Sequence, residues 1–238
     1  KADDLVGIIF ATLTEEENFP SAAAKVQAGL GARNCFAFDV GNACAGFPAA
    51  LVLANSLVLR RQGNYLVVAS ERLTKIVDPL DYHSVLFGDG AGAAVLVPSH
   101  NLGIVGEDSS CDPFNGNLKS LFRGRSGYLR MPRGGKILEE AVRSMLDSAA
   151  VAKNYAGWDM ADVYIPHQAN LRIINGIIKR SPGVQVFNNI EKYGNMSAAT
   201  CAIALHEALE EKVITEGKKV IITSFGAGFS RASVAIQF

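Results

Sequence analysis

The sequence predicts a layered α/β protein with a mostly parallel sheet, assembled from two related halves. Three observations carry that expectation. Short apolar runs alternate with longer helical stretches along the chain, the pattern of βαβ units. The 238 residues are 49% hydrophobic and 19% charged, enough to bury a full core. Segments of the first half also return, in the same order, in the second.

The elements follow in turn. "LVGIIFATL" (5–13) reads as a buried strand and "SAAAKVQAGLG" (21–31) as a helix stopped by glycine. "CFAFDV" (35–40) is a strand, "AALVLANSLVLRR" (49–61) a helix, and "YLVVAS" (65–70) a Val-rich strand. The repeat then becomes visible. "RQGNYLVVAS", ending at Ser70, is echoed by "TEGKKVIITS", ending at Ser224. "GNACA" (41–45) is echoed by "GNMSA" (194–198), and "LFGDGAGAAVLV" (86–97) by "SFGAGFSRASVAI" (224–236). Two halves are therefore expected, over 1–100 and 137–238, joined by an irregular basic insert over 101–136. The first copy carries extra residues over about 71–86.

Charge and composition exclude several classes. Lys plus Arg and Asp plus Glu balance at 23 each, so no global field favours nucleic acid. No run reaches the ~18 apolar residues of a membrane helix, and "KADDLVGIIFATL" does not read as a signal peptide. The chain lacks an initiator Met and reads as truncated, processed or incompletely recorded at its start. Cys35, Cys44, Cys111 and Cys201 form no CxxC pair and no His stands at metal-ligand spacing, so no metal is expected and reduced thiols of a cytoplasmic protein are the default. "KSLFRGRSGYLRMPRGGK" (119–136) holds basic residues and no acid. It reads either as a solvated loop or as an electropositive rim for an acidic or phosphate-bearing partner.

Cys44 stands among Ala43, Ala45 and Gly46, which leave its sulfur room. A strand before it and a helix after it would place it at a helix N-terminus, with Pro48 in the first turn. Unpaired N–H groups and the helix dipole there are expected to lower the thiol pKa and to offer an oxyanion donor. His167 follows the apolar run "DVYIP" and precedes an amphipathic helix; a core histidine is the bland alternative. His83, His100 and His206 lack such a setting, and His206 reads as solvated. Asn195 occupies the turn equivalent to that of Cys44 and should face it across the centre; turn chemistry alone is the alternative. The glycines of "GDGAGA" (88–93) fit a dinucleotide pattern formally, but "AAVLVP" after them reads as a strand, so they are taken as structural. Gly226 and Gly228 flank Ala227 in a tight turn able to aim a backbone N–H at a reaction centre.

With those residues in hand, the chain resembles the β-ketoacyl-acyl-carrier-protein synthase III family of the thiolase fold. "AFDVGNACAGF", "FGDGAGAAVL", "PHQANLRII", "YGNMSAA" and "FGAGF" match its signatures in order. The resemblance implies a thiolase-like αβαβα layering and a mechanism without cofactor. Cys44 would be acylated by an acyl-CoA. His167 and Asn195 would hold a malonyl thioester on the acyl carrier protein while it loses CO2 and attacks the acyl group. The backbone N–H groups of Cys44 and Ala227 would form the oxyanion hole. Phe19 resembles a residue reaching into a partner subunit's acyl pocket, which implies a homodimer. Asn170 and Phe225 would line the substrate site, and Arg172, Lys179 and Arg180 would dock the carrier protein. A leading segment of the family, with residues that clamp CoA, has no counterpart here. Two other readings stay open: an acyltransferase or hydrolase using the same acyl-cysteine, and a catalytically silent partner subunit.

Overall fold

The computed structural model describes residues 1–99, 102–114 and 117–238; His100 lies outside them. The first half runs β1 (Leu5–Ala11), α1 (Ala22–Leu30), β2 (Phe36–Val40), α2 (Gly46–Arg60), β3 (Asn64–Arg72) and β4 (Asp89–Leu96). A middle portion holds β5 (Gly103–Cys111), the small hairpin β6 (Phe122–Arg123) and β7 (Leu129–Arg130), and α3 (Gly134–Tyr155). The second half runs β8 (Val163–Pro166), α4 (Leu171–Arg180), β9 (Gln185–Val186), α5 (Ile190–Tyr193), α6 (Ala199–Glu210), β10 (Lys219–Gly226) and β11 (Ser230–Gln237).

The two sheets repeat one plan. The first is ordered β2-β1-β3-β4, with β4 antiparallel to three parallel strands. The second is ordered β9-β8-β10-β11 with the same directions, and β5 continues it beyond β11. Helices α2 and α6 lie between the sheets, α1 covers the outer side of the first, and α3 packs on the outer side of the second with α4 beside it. The layering is αβαβα, as the resemblance implies.

Local chemistry explains the elements that position the centre. Ser21 Oγ accepts from Ala24 N, and the Asp39 carboxylate accepts from Ala22 N and Ala23 N, so α1 begins with its free donors satisfied. Helix α2 is apolar nearly all round, with Phe47, Ala50, Leu51, Ala54 and Val58 buried, as a helix between two sheets must be. By length and hydropathy, Ala43–Arg60 would suffice to cross a bilayer. The sequence reading missed that, yet the segment is the central core helix.

One further expectation needs correction. The stretch 101–136 is not irregular throughout: β5 pairs with β11 along its length and α3 begins at Gly134. The glycines at 88–92, by contrast, are structural as expected. A Cβ on Gly88 would stand 2.3 Å from Tyr193 O, on Gly90 2.4 Å from Met196 Sδ, and on Gly92 2.7 Å from Ala202 Cβ. Bare backbone there lets β4 press against the Asn195 turn and α6.

Candidate active site

Cys44, His167, Asn195 and Ala227 line one cavity of about 90 Å³, whose walls are otherwise mainly apolar. Cys44 sits in a turn of 3-10 helix (Ala43–Ala45) leading directly into α2. The helix starts three residues earlier than its apolar pattern suggested. Ala43 holds a left-handed φ of 46°, a conformation that costs an L-residue about 1–2 kcal/mol and persists here because the second half clamps the turn. Ser224 Oγ donates to Cys44 O at 2.6 Å. A Cβ on Gly226 would lie 2.9 Å from Cys44 N. Gly226→Ala is therefore expected to displace the thiol and slow its acylation by roughly 10- to 100-fold, measured as the rate of adduct formation by mass spectrometry.

His167 follows β8, its N–H donating to Thr223 O. The next side chain, Gln168, spends its carboxamide on Pro166 O, Phe187 O and Asn189 N, which locks the loop. Asn195 is fixed by backbone bonds on both sides, its N–H to Leu86 O and its carbonyl from Gly88 N. Its Oδ1 accepts from Ser197 N at 2.8 Å, so the side chain's NH2 group is the end left to offer a ligand.

Burial governs the electrostatics. The thiol of Cys44 is pushed up to about 12 by burial and further by the charge of Glu71, although Ser197 and its own backbone N–H pull the other way. Desolvation works against the lowering expected at the helix start. Burial also holds His167 down to about 3, so its imidazole is neutral. Unfolded, it would titrate near 6.5. The unfolded chain binds the extra proton between those values, so stability falls as pH drops through that window. From about pH 6.5 to about pH 5 the cost is on the order of 2 kcal/mol, read as a lowered Tm that is absent in His167→Phe.

Thr200 was not singled out from sequence, and it controls the imidazole. Its Oγ1 lies 2.6 Å from His167 Nδ1 and 2.9 Å from Ser197 O. One hydroxyl proton serves these two acceptor positions. Donated to Ser197 O, it leaves Nδ1–H and makes Nε2 an acceptor; donated to Nδ1, it makes Nε2–H a donor. Thr200→Val removes that control.

The remaining expected site residues divide. Phe225 lines the cavity, its ring 4.7 Å from that of Phe229. Asn170 also lines it, while its Oδ1 caps α4 by accepting from Arg172 N. Arg172, Lys179 and Arg180 are exposed on α4, whose other face buries Ile173, Ile174 and Ile177. Phe19 is 84% exposed and does not enter the cavity of its own chain. The basic insert is partly structural: Arg130 pairs with Asp78, Arg123 bonds Gly127 O, and Leu121 and Met131 wall the cavity. His206 is exposed, as expected.

Two repeated sheets enclosing paired helices, with a cysteine, a neutral histidine and an asparagine converging between them, define a condensing enzyme of the thiolase fold. The 3-oxoacyl-[acyl-carrier-protein] synthase III family matches residues 38–113, and its C-terminal model matches residues 152–238. Among relatives, β-ketoacyl-[acyl-carrier-protein] synthase III of Aquifex aeolicus is 40% identical over 99% of this chain and 78% of its own. The synthase of Rhodobacter capsulatus is 37% identical over 100% and 78%. The crystal structure of the Aquifex aeolicus enzyme superposes with a TM-score of 0.94 at 38% identity, covering 100% of this chain and 78% of that one. The priming β-ketosynthase of the R1128 polyketide pathway gives 0.91 at 33% identity over 99% and 76%. The chain belongs to the 3-oxoacyl-[acyl-carrier-protein] synthase III family.

Proposed function

We propose that this condensing enzyme works in two half-reactions on the Cys44 cavity. In the first, the Cys44 sulfur attacks the thioester of an acyl-CoA and keeps the acyl group. In the second, a malonyl thioester carried by the acyl carrier protein enters. Loss of CO2 leaves an enolate, whose oxygen is held by Nε2–H of His167 and the carboxamide of Asn195. The enolate carbon attacks the acyl-cysteine and lengthens the chain by two carbons. The backbone N–H groups of Cys44 and Ala227 hold the oxyanion of each tetrahedral intermediate.

The observation that carries the reading is the convergence of Cys44, His167, Asn195 and Ala227 on one apolar chamber. Two neutral donors suit a developing enolate, because neither brings a charge that would have to be desolvated. The second stage requires the Thr200 hydroxyl to donate to His167 Nδ1. Thr200→Val is expected to slow condensation about tenfold, the worth of roughly one hydrogen bond, while acylation stays within about twofold.

The exposed Phe19 suits a homodimer in which it fills the partner's acyl pocket. The exposed basic residues Arg172, Lys179 and Arg180, on a helix that begins at the cavity, suit docking of an acidic carrier protein in the cytoplasm. The test is incubation with a panel of acyl-CoAs, then with malonyl carrier protein, following the Cys44 adduct by mass and CO2 release. An adduct followed by CO2 and β-ketoacyl carrier protein is expected. Acyl transfer to water or an alcohol without CO2 release would overturn the condensation.

A further inference from the structure

The turn that carries Asn195 lies between a helix too short to hold itself and the longer α6. Helix α5 is a single turn, Ile190–Tyr193, with no side-chain cap at Asn189, and one helical turn has no stability of its own. Its support is Glu207, on α6, whose side chain is 12% exposed. Glu207 Oε2 accepts from Asn189 Nδ2 at 2.7 Å, and Oε1 accepts from Tyr193 Oη at 2.5 Å and from Lys192 Nζ. Donors from α5 and its cap thus converge on one carboxylate, across the chain reversal at 194–198. Hydrogen bonds to an ionised acceptor are about twice as strong as neutral ones. Lys192 is exposed and contributes little, so the hold comes mainly from Asn189 and Tyr193. The two half-reactions give Glu207 no part.

Helix α6 is connected to both enolate donors. Thr200, in its first turn, meets His167 Nδ1, and Glu207 lies two turns further along the same face. The main chain of Asn195 is tied to the first half, through Leu86 O and Gly88 N. Glu207 adds a tie within the second half, to the helix that orients His167. Gly194, with a φ of 70°, carries the restraint from Tyr193 to Asn195. Its N–H closes α5 on Ile190 O at 2.8 Å, and a Cβ on it would stand 3.1 Å from Leu86 O. Loss of Glu207 leaves the start of the segment anchored, because Gln168 Oε1 still accepts from Asn189 N at 3.1 Å.

We propose that Glu207 is a positioning residue for decarboxylation, which sets the Asn195 carboxamide at a fixed spacing from the His167 imidazole. Both donors must reach one enolate oxygen, so an error in their spacing weakens the second half-reaction. Acylation of Cys44 draws on backbone donors and is insensitive to that spacing. Glu207 does not line the cavity; it acts through Asn195. The assignment rests on the two-stage reading.

The experiment compares Glu207→Leu with the wild type, alone and in an Asn195→Ala background. Alone, it is expected to slow CO2 release from malonyl carrier protein about tenfold, the scale of a small misplacement, while acylation stays within about twofold. In the Asn195→Ala background it is expected to change CO2 release by less than about twofold, because the group it positions is gone. An equal fall in acylation and CO2 release overturns the proposal, and so does an undiminished loss without the Asn195 side chain. Tyr193→Phe, which deletes one bond to Glu207, is expected to slow CO2 release about threefold with the same split. No loss there overturns the proposal even where Glu207→Leu fails to fold. A further readout needs no malonyl substrate. The side-chain amide NMR signals of Asn195, assigned by their loss in Asn195→Ala, are expected to shift in Glu207→Leu or Tyr193→Phe while the His167 ring signals stay. Unmoved Asn195 signals overturn the assignment. Wild type that forms the adduct without releasing CO2 would sink the condensation reading, and the amide signals would still decide the place of Glu207.

Discussion

Cys44→Ser is expected to abolish the acyl adduct and reduce condensation by at least about 10³-fold, with little change in Tm. The substitution keeps the shape of a side chain that is 8% exposed and leaves Ser224 donating to the same backbone carbonyl. What it removes is sulfur, whose thiolate is a far stronger nucleophile than a hydroxyl and whose acyl derivative is activated toward carbanions. Intact-mass measurement after exposure to acyl-CoA, with a thermal melt on the same sample, separates loss of chemistry from loss of fold. An acylated Cys44→Ser protein, or wild-type adduct on Cys111 or Cys35 instead, would remove residue 44 from the centre of the mechanism.

Asn195→Asp is the second large effect, expected to lower decarboxylation by at least about 10²- to 10³-fold, the scale of losing one oxyanion donor. Aspartate still accepts the Ser197 N–H bond that orders this turn, so the local backbone should survive. The amide donor, however, becomes a carboxylate facing an enolate. Acylation of Cys44 should persist within several-fold, because it draws on the backbone donors and not on Asn195. CO2 release measured against adduct formation gives the split. Equal losses in both half-reactions would assign Asn195 to holding the fold.

Much of this arrangement was legible in the chain because the residues concerned sit at strand ends marked by apolar runs and glycine. Cys44, His167 and Asn195 were found that way, and the strand after Gly92 excluded a nucleotide loop. What could not be read depends on tertiary surroundings. The burial that pushes the thiol pKa up could not be read, because helix-terminus chemistry is local whereas the desolvation opposing it comes from the tertiary surroundings. Strand β5, "GIVGEDSSC", lacks an alternating apolar pattern and becomes a strand only by pairing with β11. Thr200 reads in sequence as one small helical residue among alanines, and its role appears only once α6 is laid against the loop after β8.

The grip of β10 on the Cys44 turn has a consequence for recombination between relatives. The Cys44 turn is encoded in one half of the chain, while the hydroxyl and bare backbone that hold it at Ser224 and Gly226 are encoded in the other. A chimera joining halves of two synthases inherits each part from a different parent. Its productivity will turn on whether that single seam matches, more than on overall identity.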